Sequence, residues 1–202
     1  MSIFNTAIDR TMRGLVTWRM RPQIAYGAKD TAIIVVTPRP NMHPDDLPNG
    51  ARLMRWARNA GICVIITTTT RSADVDAPVS PPPSSGDGLD PRLVAAPDSP
   101  TVLAENEMAL EPFPGLSAFT NPSLSTTLAD RHLDRVIVVG SRTDIEIDST
   151  ARDALESGLH TTVIGDCCTG SSPAGHRATI DITLPRLVHA VMNIDDLPTP
   201  TR

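Results

Sequence analysis

The chain has 202 residues, 40% of them apolar and only 3% aromatic, so it can build one α/β domain whose core rests on Val, Ile, Leu, Ala and Met. That apolar content excludes a chain disordered throughout, and no apolar run reaches the ~18 residues of a membrane span. Net charge is -5, but residues 1–29 carry Arg10, Arg13, Arg19, Arg21 and Lys29 against Asp9, a balance of +4; the remaining acidic stretch, about -9, argues against a nucleic-acid partner.

Residues 3–20 place Phe4, Ile8, Met12 and Leu15 at helical spacing with Arg10, Arg13 and Arg19 between them. This predicts an N-terminal amphipathic helix, docked on its own domain or a partner subunit, or else lying on an anionic membrane surface. It has no uninterrupted apolar core and no cleavage-type site, so no secretory signal is expected. Residues 31–37, TAIIVVT, are a β-branched run apolar on both faces, the pattern of a strand inside a parallel sheet, and Pro38 and Pro40 stop it. Residues 49–60 read as a helix closed by Gly61, and 62–68, ICVIITT, as a second buried strand. Together they make a βαβ unit.

Residues 72–100, with PVSPPPSSGDGLDP and PDSP, are too rich in Pro, Ser, Gly and Asp for a packed element and are expected to form a flexible insertion. A helix follows over 121–132, with Asn121 as cap and Pro122 at its first position. Then come a strand over 135–140, a helix over 145–157 stopped by Gly158, and a strand over 161–165. Residues 173–189 read as helical, kinked or ended by Pro185, and 190–194 as an edge strand. The expected fold is α/β: a three-layer α-β-α sandwich with a mainly parallel sheet, plus the N-terminal amphipathic helix. The expected organisation is that helix over 1–28, one domain over 29–197 containing the insertion, and a tail over 198–202. Ligands in such sheets sit at the carboxyl ends of strands, here Thr37, Thr67–Thr70, Gly140 onward and Asp166.

The second half resembles the isochorismatase/nicotinamidase superfamily of cysteine hydrolases. Ser117-Ala118-Phe119 with Asn121-Pro122-Ser123-Leu124 is similar to its SAF-x-x-T-x-L segment, and Val138–Asp144 to its V-x-G-x-x-T-D turn. Thr150-Ala151, Asp153-Ala154 and Gly158 follow its T-A-x-D-A-x-x-x-G helix, and Val163–Asp166 its next strand. The resemblance covers about residues 30–70 and 115–197.

What it implies about chemistry is an absence. The family relies on an Asp ending strand one, a Lys before the SAF segment and a Cys after the T-D pair, the Asp and Lys together making a thiolate from a weakly acidic thiol. Those places fall on Thr37, Phe113 and Glu146. Lys29 is the only lysine in the chain and precedes strand one, so no shift of alignment restores the cation. The metal-binding Asp and His cluster of the nicotinamidase branch falls on TTTTRSADVD, which has no His, so no metal is expected, and no cofactor. Arg142, Glu146 and Asp166 remain as ligand-binding candidates, with Arg142 able to pair with Glu146 instead; Asp144 reads as structural.

Cys63, Cys167 and Cys168 make no disulfide framework and suit a reducing cytoplasm. His176 and His189 read as surface or core residues. Thr67–Thr70 is a β-branched strand end or the lining of a polar pocket. Two readings follow. One is a pseudoenzyme with a binding, scaffold or assembly role, a homo-oligomer or the partner of another protein or a membrane through residues 1–22. The alternative is a divergent hydrolase of small amides or esters that uses Glu146 with a water, or a cysteine.

Overall fold

A computed structural model describes residues 24–37, 42–70 and 103–201 of the chain. The N-terminal helix expected over 1–28 falls almost wholly outside the described residues, and the insertion expected over 72–100 falls entirely outside them.

Six strands form one wholly parallel sheet: β1 (Thr31–Thr37), β2 (Cys63–Thr68), β3 (Glu107–Ala109), β4 (Arg135–Ser141), β5 (His160–Thr169) and β6 (Ala190–Met192), in the order β3-β2-β1-β4-β5-β6. The helices are α1 (Gly50–Ala60), α2 (Pro122–Asp130), α3 (Asp148–Glu156) and α4 (Pro173–Ala178). The connection β1-α1-β2 runs toward one edge and β4-α3-β5 toward the other, so right-handed crossovers put α1 and α3 on opposite faces. That is the expected α-β-α arrangement, and its order reverses between β1 and β4.

The β-branched runs explain the centre. Every residue of β1 and β2 is buried, and Val136 to Val139 of β4 are fully covered, because helices on both faces leave no side for polar residues. Two glycines hold positions that other residues would strain. Gly61 ends α1 in the left-handed region at φ 68°. Gly140 has φ 130°, and a Cβ there would lie 1.9 Å from the Val36 carbonyl oxygen, so β4 passes β1 at the switch point only without a side chain.

Several elements differ from expectation. β3 is an extra edge strand, too short for a periodic signal; Val64 N–H donates to the Asn106 carbonyl at 2.8 Å beside it. The helix expected over 145–157 begins as a wide π-type turn over Thr143–Ile147 and becomes regular only at Asp148. β5 runs on through Cys167 and Cys168, because a bulge lets its residues from Val163 to Cys168 face only Val138 to Gly140 of β4. The helix expected over 173–189 is three pieces: α4, a wide turn over Thr179–Thr183 and a short 3-10 turn over Leu184–Arg186 that contains Pro185.

Residues 198–201, expected as a tail, are tied to the body. Trp56 Nε1 donates to the Pro198 carbonyl at 3.2 Å, and Thr201 N–H donates to the Tyr26 carbonyl at 2.8 Å. Among the described residues no helix is long and apolar enough to cross a membrane.

Candidate functional site

The carboxyl ends of β1 and β4 meet where the strand order reverses, the place where such sheets open a crevice. Val36 of β1 pairs with Gly140 of β4, which brings Thr37 beside Ser141 and the turn that carries Glu146.

Thr37 closes β1 and is fully buried. Its hydroxyl lies 2.9 Å from the Thr68 hydroxyl and 3.4 Å from the Thr67 carbonyl on β2. Phe113 is brought to the same end by the backbone: its N–H donates to the Thr68 carbonyl at 2.9 Å, and Thr70 N–H donates to the Phe113 carbonyl at 2.8 Å. Phe113 is 1% exposed, so an aromatic ring is buried in the wall near the end of β2. The Thr69 hydroxyl donates to the Gly115 carbonyl at 3.3 Å, which binds this segment further. Thr67 Oγ1 is buried without a hydrogen-bond partner among the described residues.

Glu146 is 0% exposed, on the turn that follows β4. One carboxylate oxygen accepts from the Arg142 backbone N–H at 3.1 Å and from Arg142 Nε at 3.0 Å; the other accepts from Arg142 Nη2. Arg142 is itself 13% exposed, so the ion pair sits largely away from water. The hydrogen bond to Glu146 raises the Arg142 pKa, burial opposes it, and the charges of Glu146 and Asp144 add to the rise. The carboxylate thus closes a ring onto a residue four positions earlier and faces no open cleft as a free base.

The rest of the turn is held by partners other than Thr37, Phe113 and Glu146. Asp144 accepts from Ser171 N–H at 2.7 Å and from the Ser171 hydroxyl. Burial pushes the Asp144 carboxyl up, but these hydrogen bonds outweigh it and hold it below the ordinary Asp value. Thr143, fully buried, shares a 2.8 Å hydrogen bond with His176 Nδ1 on α4. The Thr150 hydroxyl on α3 accepts from Ala118 N–H at 3.0 Å, and Asn121 Nδ2 donates to the Glu111 carbonyl at 2.7 Å. These bonds fasten the Ser117–Phe119 segment beside the turn.

Asp166 lies apart from this group. Asn49 Nδ2, just before α1, donates to both its carboxylate and its carbonyl at 3.1 Å, and Ile194 N–H donates to its other carboxylate oxygen at 2.8 Å. Both oxygens are therefore engaged in clipping β5 to the start of α1 and to the segment after β6.

Cys167 is fully buried, and Cys168 nearly so. Burial, then the neighbouring Asp166 charge, pushes the Cys167 thiol up to about 12. Burial likewise pushes the Cys168 thiol up to about 12, and its Sγ donates to the Ile164 carbonyl at 3.3 Å. Neither makes a ready thiolate.

Sequence reasoning named the Arg142–Glu146 pair and the Asp144 turn. It missed the Thr143–His176 bond, because His176 lies 33 residues away with only its place on a helix to mark it. It also missed the Asn49–Asp166 clip, for which Asn before a helix signals a cap but no distant partner.

A family model described as the isochorismatase domain matches residues 42–194. An isochorismatase family protein of Escherichia coli O157:H7, YecD, itself uncharacterised, is 26% identical over 192 residues, covering 86% of this chain and 97% of its own length. Among solved structures, the YcaC gene product of Escherichia coli, an octameric hydrolase of unknown specificity, superposes with a TM-score of 0.56 at 19% identity, over 86% of this chain and 80% of that one. The pyrazinamidase/nicotinamidase of Streptococcus mutans UA159 superposes with a TM-score of 0.56 at 20% identity, over 81% of this chain and the whole of that one.

Proposed function

We propose that this chain, which belongs to the isochorismatase family, is a non-catalytic member with a binding, scaffold or assembly role. The observation that carries the reading is Glu146. It stands where the resemblance puts the nucleophile, has no exposed surface, and spends both carboxylate oxygens on Arg142. The two other triad positions carry Thr37, bonded to β2, and Phe113, buried in the wall. None of the three carries a thiol, and the one carboxylate among them is already engaged by Arg142, so the site lacks the positioned thiolate on which the family's rate depends.

The hydrolase alternative draws support from neighbours of the same fold that are hydrolases, but not from the residues at the site. The Cys167 thiol is buried and lies near 12, and the Glu146 carboxylate is engaged. The test is a panel of small amides, esters, nicotinamide and isochorismate offered to the full chain. The expected rate equals that of buffer. Turnover that disappears in Glu146→Ala would overturn the proposal.

The assembly proposed is self-association, in line with the octameric YcaC protein of the same fold. Light scattering that shows a monomer at every concentration would refute it. A contact through residues 1–22, to a protein or an anionic membrane, is an extension of the same reading. Liposome pelleting that is equal with and without those residues rules out the membrane arm. Three free cysteines support, in this reading, a reducing compartment such as the cytoplasm.

A further inference from the structure

The amino-terminal edge of the sheet carries two imidazoles that the proposed function does not use. His160 opens β5, and His189 stands immediately before β6. Their rings stack, with centroids 4.2 Å apart and planes inclined at 29°. His189 is tied twice to Thr161: its backbone N–H donates to the Thr161 carbonyl at 3.0 Å, and its Nδ1 accepts from Thr161 N–H at 3.1 Å. Nδ1 is therefore an acceptor, and the neutral ring carries its proton on Nε2. A proton added at Nδ1 would aim a donor at a donor and break that bond.

His160 Nδ1 is buried without a hydrogen-bond partner among the described residues. The charged groups around the stack come from several elements. Arg135 of β4 lies opposite His160 in register, and Asp134 precedes it, its carbonyl accepting from His160 N–H at 2.8 Å. Arg135 is already flanked by Asp30 at 3.2 Å and Asp134 at 3.8 Å. Tyr26, whose hydroxyl lies 2.7 Å from that of Thr162, also feels the Arg135 charge. Burial first, then His189 and Arg135, hold the His160 pKa below its ordinary value, against a smaller opposing pull from Asp134. A cationic His160 would face a second imidazole and a guanidinium with its ring nitrogen unsolvated.

We propose that the stacked His160–His189 pair is an acid-sensitive latch that fastens edge strand β6 to β5 and releases it on acidification. β6 pairs with β5 only at Thr162, Val163 and Ile164, so the two bonds between His189 and Thr161 are a large share of what holds its start. The closed form favours a neutral His160 ring. Closure is therefore fully favoured above the ordinary histidine value of 6.5 and weakens as the pH falls through it. The β1–β4 centre contains no histidine and stays closed.

Hydrogen exchange of the full chain, read by mass spectrometry at about pH 7.5 and about pH 5.5 and corrected for intrinsic rates, tests this. Peptides over 160–164 and 187–194 should lose protection, by up to roughly tenfold for one histidine that takes up a proton on opening, while β1 and β4 peptides hold theirs. The double variant His160→Phe with His189→Asn keeps an aromatic ring at 160 and offers an amide acceptor for Thr161 N–H but cannot titrate. In it the acid-induced loss should vanish. An equal loss in that variant, a loss spread over the whole sheet, or none at all in the wild type would overturn the latch. Should the variant fail to fold, the wild-type His160 ring proton signals decide by NMR: titration below 6.5 supports it, and titration at or above that value sinks it.

Discussion

Removing Arg142 isolates a charge that the fold has buried. In Arg142→Met the chain keeps most of the side-chain volume, but Glu146, with no exposed surface, loses Nε and Nη2 and retains only the Arg142 backbone N–H. Breaking a buried ion pair by deleting one partner costs 3–5 kcal/mol in general. The surviving backbone bond and the 13% exposure of Arg142 argue for the lower end, about 3 kcal/mol. For a chain of this size that lowers the melting temperature by roughly 6–12 °C. Glu146→Leu should cost less, about 1–2 kcal/mol, because Arg142 sits nearer the surface and can find water. The double variant Arg142→Met with Glu146→Leu should recover most of the loss, since packed apolar groups often replace a buried pair with little penalty. Urea denaturation of the four proteins, read as a double-mutant cycle, gives the coupling. A single Arg142→Met variant within ~1 kcal/mol of wild type, or a double variant no better than the worse single one, would refute the view that this pair is a self-contained structural unit.

Other expectations follow from the same geometry. Asn49→Asp would place a second carboxylate about 3.1 Å from that of Asp166 and remove a donor, lowering stability by about 1–2 kcal/mol in thermal denaturation. Asn49→Gly, which suits the φ of 53°, should lose less. Gly140→Ala must put a Cβ 1.9 Å from the Val36 carbonyl oxygen and should abolish soluble expression or cost more than ~4 kcal/mol. Cys167 and Cys168, with thiols near 12 against an ordinary 9.0, should react with iodoacetamide near pH 8 roughly a thousandfold more slowly in the native protein than in urea. Rapid native labelling would contradict that burial.

The parallel sheet was legible because its central strands are buried on both faces. TAIIVVT and RVIVVG can be little else, and β1 and β4 coincide with them to within a residue. β3 was not legible: three residues pair with β2 through backbone, and the sequence EMA carries no pattern. The broken helix after Pro173 was half legible. Pro185 marked its end, but the wide turn over Thr179–Thr183 comes from packing that no local signal announces. At the site, what the sequence could say was which residue types stand at the positions the resemblance marks, Thr37, Phe113 and Glu146, since a residue type is read directly. What it could not say was the fate of the replacements. Whether Glu146 faces a cleft or folds back on Arg142 depends on a turn geometry set by Thr143 and His176, and the two are 33 positions apart.

That separation also bears on how the frame of the turn is kept apart from the side chains at Thr37, Phe113 and Glu146. The bonds that hold the turn after β4 run through Thr143 to His176, Asp144 to Ser171 and Thr150 to Ala118. None of them uses Thr37, Phe113 or Glu146. The frame beyond Arg142 therefore does not depend on the side chains at these three positions, and each of them meets its own needs in a buried place. Thr37 bonds to β2, Phe113 fills wall volume, and Glu146, the most demanding of the three, is matched by the one cation within its own turn. A carboxylate there without Arg142 would be a liability; with it, the position is neutralised. Arg142 is thus the residue on which burial of the Glu146 carboxylate depends, and the double-mutant cycle measures that dependence.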